Sequence, residues 1–550
     1  MRTISIPLSG VQALSSEMCS KMTSLQDLII NKNELAGFPD NIDELVSLRA
    51  LHADWNKLTA LPDSLPRLTN LTSLRACQNE IATLPVEIGG LISLEECDVS
   101  TNFLTVIPTS FTALKNLRIL DVHDNRISEV PAGTSQLACL EILNVAENKI
   151  TMLNAELGTV PNLREVSGSH NPLIDPPEEV AVVSGAKCCE YICNIGRAPE
   201  ARKLYLHGMN LSHFPASVLR LTMLTELSVV ANQLPALPDE FFKLVNLTYL
   251  DLTMNRIFDL PDTIEYLSAL TVLRMNQNDL VELPEEVCNL SALTELQVAD
   301  NFIEELPLSL ALLTNLTILT TYGNESHKPP REVMPLELTR IQEYLALLLA
   351  AAGKLPKGYT VGGKAVENKI GYLDLSGWSL VHLDRSLSDL YDVMIELNCS
   401  NNLMTDVPGK FAYMYSLKKL DLSHNQFKIA PAVVFELSAL TKLDMSKNLL
   451  QFVPSNLGNL RELLEFDFSN NQITEMPEQI AKLGFVRVVR FGSNVLQKIP
   501  DQIEECQFVS ELHLSSNKLT RLPAAMCALR SLQVRRQKRR CRKLQRVMSL

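Results

Sequence analysis

The stretch Leu117-Arg-Ile-Leu-Asp-Val-His-Asp-Asn-Arg-Ile-Ser-Glu-Val-Pro131 contains the pattern that decides the fold. Leu120 and Val122 are two residues apart, so both point to one side of a short strand. Asn125 follows, and its side-chain amide can satisfy backbone groups where the chain turns inward. The proline disfavours a long helix in the return segment. Each copy of this pattern therefore predicts a strand, a turn and a short return segment.

The asparagine of this pattern returns with a period of 23 residues, and a proline follows six residues later in 18 of 21 repeats. A single repeat cannot cover its own hydrophobic face, so the repeats must stack. Stacking predicts a ladder of asparagine amides, in which the loss of one would cost roughly 1–3 kcal/mol. The predicted ladder comprises Asn33, Asn56, Asn79, Asn102, Asn125, Asn148, Asn171, Asn232, Asn255, Asn278, Asn301, Asn324, Asn402, Asn425, Asn448, Asn471, Asn494 and Asn517.

Three repeats lack the asparagine, and each begins a block: they carry Ser9, Met209 and Trp378 at that position. The first two blocks end in Pro-Pro followed by a helical stretch, which extends through Tyr191 in the first block and resembles a cap over an open core. The segment Lys357–Lys369 is rich in Gly, Lys and polar residues and predicts a flexible linker. The predicted divisions are repeats at 1–177 (eight), a capping helix and connection at 178–200, repeats at 201–330 (six), a capping helix and linker at 331–369, repeats at 370–532 (seven) and a basic tail at 533–550.

Charge and composition exclude several classes of function. The net charge is −13, and residues 530–550 hold nine Arg/Lys without an acid, which leaves about −22 on the remainder and disfavours nucleic-acid binding there. The longest apolar run, Leu345–Ala352, is too short to span a membrane, and the N-terminus has no signal-like apolar segment. The 12 cysteines lack disulfide-scaffold spacing. We expect a cytoplasmic protein, with Arg535–Lys543 as a candidate nuclear-import signal, acidic-lipid contact or docking segment.

No constellation of residues predicts catalysis, a cofactor or a bound metal. Gly358–Ala365 nearly matches a phosphate-binding loop, but Ala365 cannot ligate Mg²⁺ and no amphipathic helix is predicted to follow. Cys188, Cys189 and Cys193 lie close in sequence without a fourth zinc ligand, so packing in the cap helix is favoured. We therefore expect a chain that is not an enzyme and has no small-molecule substrate.

The outward residues of the strands form the predicted binding surface. Strands about 4.8 Å apart would gather them into one concave sheet, ~100 Å long if unbroken. An exposed Trp beside Arg has the composition of an interface anchor, and the acidic run that follows would steer a basic partner. The alternative is a surface with stray aromatics and solvated charges. The predicted partner-binding residues are His52, Asp54, Trp55, Arg75, Gln78, Asp98, Asp121, His123, Asp124, Glu147, Tyr205, Tyr249 and Tyr322.

The return segments, such as Leu84-Pro-Val-Glu-Ile-Gly-Gly-Leu91, resemble those of the intracellular Ras-group leucine-rich-repeat proteins, over nearly all of residues 1–532. The pattern and this resemblance predict an α/β fold, a leucine-rich-repeat solenoid curved as a horseshoe or superhelix. Its parallel sheet would line the concave face, with short turns or 3-10 segments on the convex face. The resemblance implies an intracellular adaptor, with relatives that bring a Ras-type small GTPase and a protein phosphatase together on the concave face.

Three functions remain open from the sequence, and the third is a latent nucleotide hydrolase that would use Gly358–Ala365. The first is a non-catalytic scaffold or adaptor in intracellular signalling that binds other proteins on its concave face. The second is the regulatory or targeting subunit of an enzyme assembly, such as one with a separate protein phosphatase chain.

Overall fold

The structure is a computed structural model of the chain. It describes residues 2–324, 329–330, 332–333, 337–361, 364–383, 387, 390 and 392–532. The chain divides into a first unit, residues 1–280 and 292–298, and a second unit, residues 281–291 and 299–550. The predicted tail motif Arg535–Lys543 lies outside the described residues.

Each repeat is built as the sequence pattern predicts. In the repeat of Asn125, the strand Ile119–Asp121 places Leu120 in the core, and Val122 follows it there. The chain then adopts a left-handed conformation at Asp124, with φ of 53°, which turns it toward the return segment. Most return segments contain a single 3-10 turn, as prolines at their beginning disfavour longer helices. Because each repeat buries its leucines against the next, the core runs through the stack.

The first unit contains two runs of parallel strands. Hydrogen-bonded partners lie one repeat apart, as Ile119 and Ile142 do. The first sheet consists of β1 (Thr3–Ser5), β2 (Asp27–Ile29), β3 (Ala50–His52), β4 (Ser73–Arg75), β5 (Glu96–Asp98), β6 (Ile119–Asp121), β7 (Ile142–Asn144) and β8 (Glu165–Ser167). The second run consists of β9 (Lys203–Tyr205), β10 (Glu226–Ser228), β11 (Tyr249–Asp251), β12 (Val272–Arg274) and β13 (Glu295–Gln297).

The helices of the first unit lie between the two strand runs or in return segments. The first unit contains α1 (Ser16–Lys21), α2 (Glu178–Val183), α3 (Gly185–Ala201) and α4 (Ala216–Leu219). Helix α3 packs against β8 on one side and β9 on the other, so it joins the two cores. Ser184 caps α3 by accepting a hydrogen bond from the Lys187 backbone N–H at 3.1 Å. The helix continues past Tyr191 to Ala201 and includes Pro199, two residues before its end.

The second unit repeats this arrangement around α5 (Leu338–Ala351), which packs against the 3-10 turn Leu308–Leu312 and β17. The Gln342 side chain donates a hydrogen bond to the Leu313 carbonyl at 3.1 Å. The strands of this unit are β14 (Ile318–Thr320), the hairpin β15 (Thr360–Val361) and β16 (Lys364–Ala365), and the parallel sheet β17 (Tyr372–Asp374), β18 (Glu396–Asn398), β19 (Lys419–Asp421), β20 (Lys442–Asp444), β21 (Glu465–Asp467), β22 (Val488–Arg490) and β23 (Glu511–His513).

The segment Lys357–Lys369, predicted to be a flexible linker, contains the β15–β16 hairpin instead. The Tyr359 hydroxyl donates a hydrogen bond to the Ala311 carbonyl, and the Leu355 N–H donates to Asn368 Oδ1 at 3.2 Å. Lys364 and Ala365 belong to β16, so no helix begins there as a phosphate-binding loop would require.

The asparagines make the same set of hydrogen bonds in repeat after repeat. Asn125 Oδ1 accepts from the Leu104 N–H at 2.9 Å, and its Nδ2 donates to the carbonyls of Val99, Val122 and His123 at 3.0–3.1 Å. The side chain thereby joins its own turn to the preceding repeat. Equivalent bonds are made by Asn33, Asn56, Asn79, Asn102, Asn148, Asn171, Asn232, Asn255, Asn278, Asn402, Asn425, Asn448, Asn471, Asn494 and Asn517. Two further members make some of these bonds: Asn301 donates to the Ala299 carbonyl at 3.1 Å, and Asn324 accepts from the Ile303 N–H at 2.9 Å.

Candidate protein-binding surface

We define the strand face as the residues six, four, two and one positions before each ladder asparagine. The first two positions lie on the strands and alternate with buried leucines, as in Ile119, Leu120 and Asp121. The last position has a positive φ in most repeats, including Trp55, Gln78 and Glu147, with φ between 53° and 61°. Side chains at this last position project from the turn that follows each strand, at the rim of the strand face.

Trp55 is the most prominent apolar group on the first sheet's strand face. Its side chain is 54% exposed, and the Lys32 ammonium lies 5.8 Å from the ring centroid. On the neighbouring strand Arg75 lies 3.7 Å from Asp98 and 3.9 Å from Glu96, at distances that indicate loose ion pairs. The aromatic ring and a loosely held guanidinium are therefore both available to a partner. Gln78, one repeat after Trp55, is half-buried.

His52 and Asp54, the two other predicted residues of this repeat, are held by the protein itself. His52 Nε2 lies 3.0 Å from the Ser73 hydroxyl. Asp54 is only 8% exposed, and its carboxylate accepts a hydrogen bond from the Cys77 N–H at 3.0 Å. Burial, with the Asp54 carboxylate nearby, raises the pKa of the Cys77 thiol to about 12. Asp54 therefore joins neighbouring repeats and is not an exposed contact residue, which corrects its place in the predicted surface.

The predicted acidic run is partly occupied by internal hydrogen bonds. The Asp98 carboxylate accepts from the Ser100 hydroxyl at 2.7 Å. The Asp121 carboxylate lies 2.7 Å from His123 Nδ1 and accepts from Asn144 at 3.1 Å. By contrast, the side chains of Asp124 and Glu147 at the rim are exposed. A basic partner would therefore meet Asp124 and Glu147 first.

The three predicted tyrosines lie on separate parts of the chain. Tyr205 is 41% exposed, and its hydroxyl donates to Glu226 at 2.8 Å. Tyr249 lies under the Arg274 guanidinium, 5.4 Å from the ring centroid, and burial raises the pKa of its hydroxyl. Tyr322, in the second unit, is 69% exposed. Tyr205 and Tyr249 do not converge with Trp55 into one cluster, because five or more repeats of the first unit separate them from it.

The second unit contains a groove that sequence reasoning missed. Its volume is about 760 Å³, and it lies between α5 with the β15–β16 hairpin and the strand face of β17–β20. Leu347 and Val366 contribute apolar walls, and Asp374, Asp421 and Asp444 line the floor. The aspartates of the groove could be read from the sequence, as Leu-Asp-Leu-Ser and its variants in successive repeats. The wall could not, because α5 and the hairpin lie outside the repeats and no periodicity fixes their position.

The charges in this groove are unevenly compensated. Lys419 is paired with Glu396, and Lys442 lies 3.6 Å from Glu465. Asp444 instead accepts hydrogen bonds from the backbone N–H of Ser446, at 2.9 Å, and from the Ser446 side chain. Burial, together with the aspartates on the adjacent strands, raises the pKa of Asp444. The floor of the groove therefore carries a row of aspartates, and the lysines beside it are already paired with glutamates.

Other chemistry is limited in the part of the chain that the structure describes. There, no group of three His, Cys, Asp or Glu side chains could hold a metal ion. Within the same residues, every helix is too short or too polar to cross a bilayer. The cysteines singled out from the sequence lie on α3, as predicted for cap packing, with Cys188 and Cys189 buried.

The family profile described as leucine rich repeat matches residues 222–280 and 396–450. With the parallel strands, single 3-10 turns and asparagine ladder, this match decides the type of repeat. The repeats of this chain are leucine-rich repeats. The predicted leucine-rich-repeat solenoid is thereby confirmed. Comparison with curated proteins gave no significant match.

Three solved structures, two of them of leucine-rich-repeat proteins, match most of the chain. A leucine-rich-repeat protein of Leptospira interrogans is 21% identical, covering 96% of this chain and 99% of that chain, with a TM-score of 0.27. The ectodomain of the receptor kinase GASSHO1/SCHENGEN3 from Arabidopsis thaliana, in complex with Casparian strip integrity factor 2, is 22% identical, covering 95% of this chain and 65% of that chain, with a TM-score of 0.31. The functional domain of InlJ from Listeria monocytogenes is 18% identical, covering 86% of this chain and 73% of that chain, with a TM-score of 0.26.

Proposed function

We propose that this leucine-rich-repeat chain is a non-catalytic scaffold or adaptor that binds protein partners on the strand face of its first sheet. The observation that carries the proposal is Trp55, a large aromatic side chain that is 54% exposed in the middle of a polar surface. Solenoids expose extended surfaces of this kind, and Trp and Arg dominate the energetics of protein interfaces. The loosely paired Arg75 supplies the second anchor.

The exposed carboxylates define the kind of partner that fits this surface. Asp124 and Glu147 lie at the rim, three and four repeats after Trp55, and an acidic rim accelerates the approach of a basic partner. We infer a partner that presents an apolar pocket or groove for the indole flanked by Lys or Arg. A cytoplasmic role in signalling follows from the resemblance to Ras-group proteins, as do a Ras-type small GTPase and a protein phosphatase as candidate partners.

The proposal is tested by affinity purification of the tagged chain followed by mass spectrometry. Trp55→Ala and Arg75→Ala should each reduce the recovery of the main partner about tenfold or more, because interface anchors contribute 2 kcal/mol or more. Tyr266→Ala is the matched control: Tyr266 is 57% exposed in the same unit but lies on a 3-10 turn outside the strand face. Unchanged recovery with both anchor variants would refute this surface.

The alternative function is the regulatory or targeting subunit of an enzyme assembly. The groove of the second unit favours it, because a second binding surface would let one chain hold an enzyme and its target together. This alternative predicts stoichiometric recovery of a phosphatase or hydrolase catalytic chain. It also predicts that a charge reversal such as Asp421→Lys releases that chain while the partner of the first surface remains bound.

A further inference from the structure

Two of the cysteines packed on α3 form a close pair. Cys189 and Cys193 are one helical turn apart, and their Sγ atoms lie 3.8 Å from each other. Cys189 is buried, and its sulfur lies 3.6 Å from the Leu163 carbonyl oxygen. Cys193 is partly exposed. The pair therefore has one sulfur that a small solute can reach and one that it cannot.

The surroundings distinguish the two thiols chemically. Hydrogen bonding with Cys189, together with the positive charge of Arg197, lowers the pKa of Cys193 to about 7 despite partial burial. The same hydrogen bond and burial raise the pKa of Cys189. At neutral pH about half of the Cys193 side chains are therefore thiolate, the nucleophilic form, while Cys189 is the protonated neighbour. Burial raises the pKa of the adjacent Cys188 to about 12, so that thiol remains inert.

Cys193 also lies at the tightest contact between α3 and the repeats it covers. A Cβ on Gly158, in the 3-10 turn Ala155–Thr159, would lie 2.2 Å from the Ile192 carbonyl oxygen and 2.9 Å from the Cys193 Cα. A Cβ on Gly196 would lie 2.5 Å from the Ala155 carbonyl oxygen. The helix and the turn touch backbone to backbone, so a change in the helical turn between Cys189 and Cys193 must displace one of them.

We propose that Cys193 and Cys189 are a hydroperoxide-reactive dithiol, and that its oxidation to a disulfide within α3 loosens the cap on the first sheet. The Cys193 thiolate attacks one peroxide oxygen, an S–O bond forms, the O–O bond breaks, and the leaving hydroxide takes a proton to become water. The Cys189 sulfur then attacks the Cys193 sulfenic acid. The S–S bond forms, the S–O bond breaks, and the leaving hydroxide combines with the Cys189 proton as water. The peroxide gains two electrons and the two thiols lose two.

The helix geometry makes this disulfide reversible. Cβ atoms four residues apart on a helix are about 5–6 Å apart. Those of a disulfide are about 3.5–4.5 Å apart, so closure must contract the turn by about 1 Å. Strained disulfides are readily reduced by small thiols. Oxidation should therefore weaken the α3 contact at Gly158, and reduction should restore it.

The test treats the reduced full chain with hydrogen peroxide at pH 7, blocks the remaining thiols and identifies the peptide Cys188–Arg197 by mass spectrometry. We expect loss of two hydrogens, with the bond between Cys189 and Cys193. At pH 7 a thiol with a pKa of about 7 has about sixteen times the thiolate of a free cysteine thiol, whose pKa is about 8.5, but about fivefold lower nucleophilicity. Cys193 should therefore be alkylated about three times faster at pH 7 than N-acetylcysteine amide.

Variants separate this chemistry from general thiol oxidation. Cys189→Ser should halt the reaction at a Cys193 sulfenic acid that dimedone traps, whereas Cys188→Ser should leave disulfide formation unchanged. Protection of the α3 amides against hydrogen exchange should fall on oxidation and return with reductant. A disulfide that involves Cys188 would overturn the proposal. So would an alkylation rate of Cys193 that exceeds that of the other thiols by the same factor in urea. So would α3 protection that is identical in the oxidised and reduced chains.

Discussion

The ladder allows a quantitative test of how one side chain joins two repeats, with Asn125→Ala as the perturbation. Asn125 is 8% exposed, accepts one backbone N–H and donates to three carbonyls. Alanine removes all four bonds without adding bulk. The loss of folding free energy depends on which of the four backbone groups can still hydrogen-bond to another group, because a buried polar group without a partner destabilises the fold.

The carbonyls keep other donors. Val99 O still accepts from Asn102, and Val122 O still accepts from Asn148, because each ladder carbonyl is shared by consecutive asparagines. The third carbonyl retains a backbone N–H from the preceding repeat. Only the Leu104 N–H is left buried without its acceptor. One orphaned donor and the weakened carbonyl bonds amount to about 2–3 kcal/mol.

Hydrogen exchange at the Leu104 amide measures this cost directly. We expect exchange about 30- to 150-fold faster in Asn125→Ala, since about 1.4 kcal/mol corresponds to a factor of ten. Asn116→Ala is the control, because Asn116 makes an exposed hydrogen bond to Ile92 at 2.9 Å. Asn125→Asp should preserve Leu104 protection yet destabilise the repeat at pH 7 by placing a carboxylate against carbonyls. Its pKa would then be raised, so stability should recover as the pH falls through that value. Unchanged Leu104 exchange in the alanine variant would refute the ladder argument.

Three further substitutions test packing and charge. Gly158→Ala should reduce the free energy of unfolding by about 1–3 kcal/mol in denaturant titration, because its Cβ would meet the α3 backbone. Gly409→Ala is the control and should have little effect, because nothing lies within 4 Å of a Cβ there. Asp444→Asn should raise the melting temperature at pH 7, because burial raises the pKa of Asp444 and its charged form costs stability; the gain should vanish below pH 3.8. Asn398 already makes the equivalent turn hydrogen bond, at 3.0 Å, so the amide is tolerated. Trp378→Ala should cost about 3–5 kcal/mol and accelerate exchange in α5, as the ring is 7% exposed against that helix.

The sequence predicted the repeat because its signals are local. Two leucines two residues apart fix which side of the strand is buried, and the asparagine fixes where the chain turns. Neither depends on distant parts of the chain. The alternation of buried and outward residues also predicts an exposed side chain two positions before the asparagine. There it fails, because Ser100, Ser400 and Asp54 are all 8% exposed or less. The strands are only three residues long, so the chain is already turning there and the alternation has ended.

The groove of the second unit could not be predicted for a different reason. Its hairpin strands are two residues each, too short for a periodic signal, and the Tyr359 hydroxyl fastens them to the Ala311 carbonyl. That hydrogen bond spans 48 residues. Composition alone favours a flexible linker for such a segment. The hairpin is ordered by its packing beside α5, which composition does not reveal.

The left-handed position before each asparagine explains why Trp55 is the residue to test first. Non-glycine residues lose roughly 1–2 kcal/mol in this conformation, and asparagine tolerates it best, as at Asn401 and Asn470. Trp55 adopts it at φ of 61° while remaining half exposed, so burial offsets little of the cost. Its contact with Lys32 stabilises it by about 0.5 kcal/mol. Trp55→Asn should therefore leave the free energy of unfolding unchanged or raise it by about 1 kcal/mol while it abolishes partner recovery. If the variant instead unfolds more easily, the indole has a structural role and the binding surface lies elsewhere on the strand face.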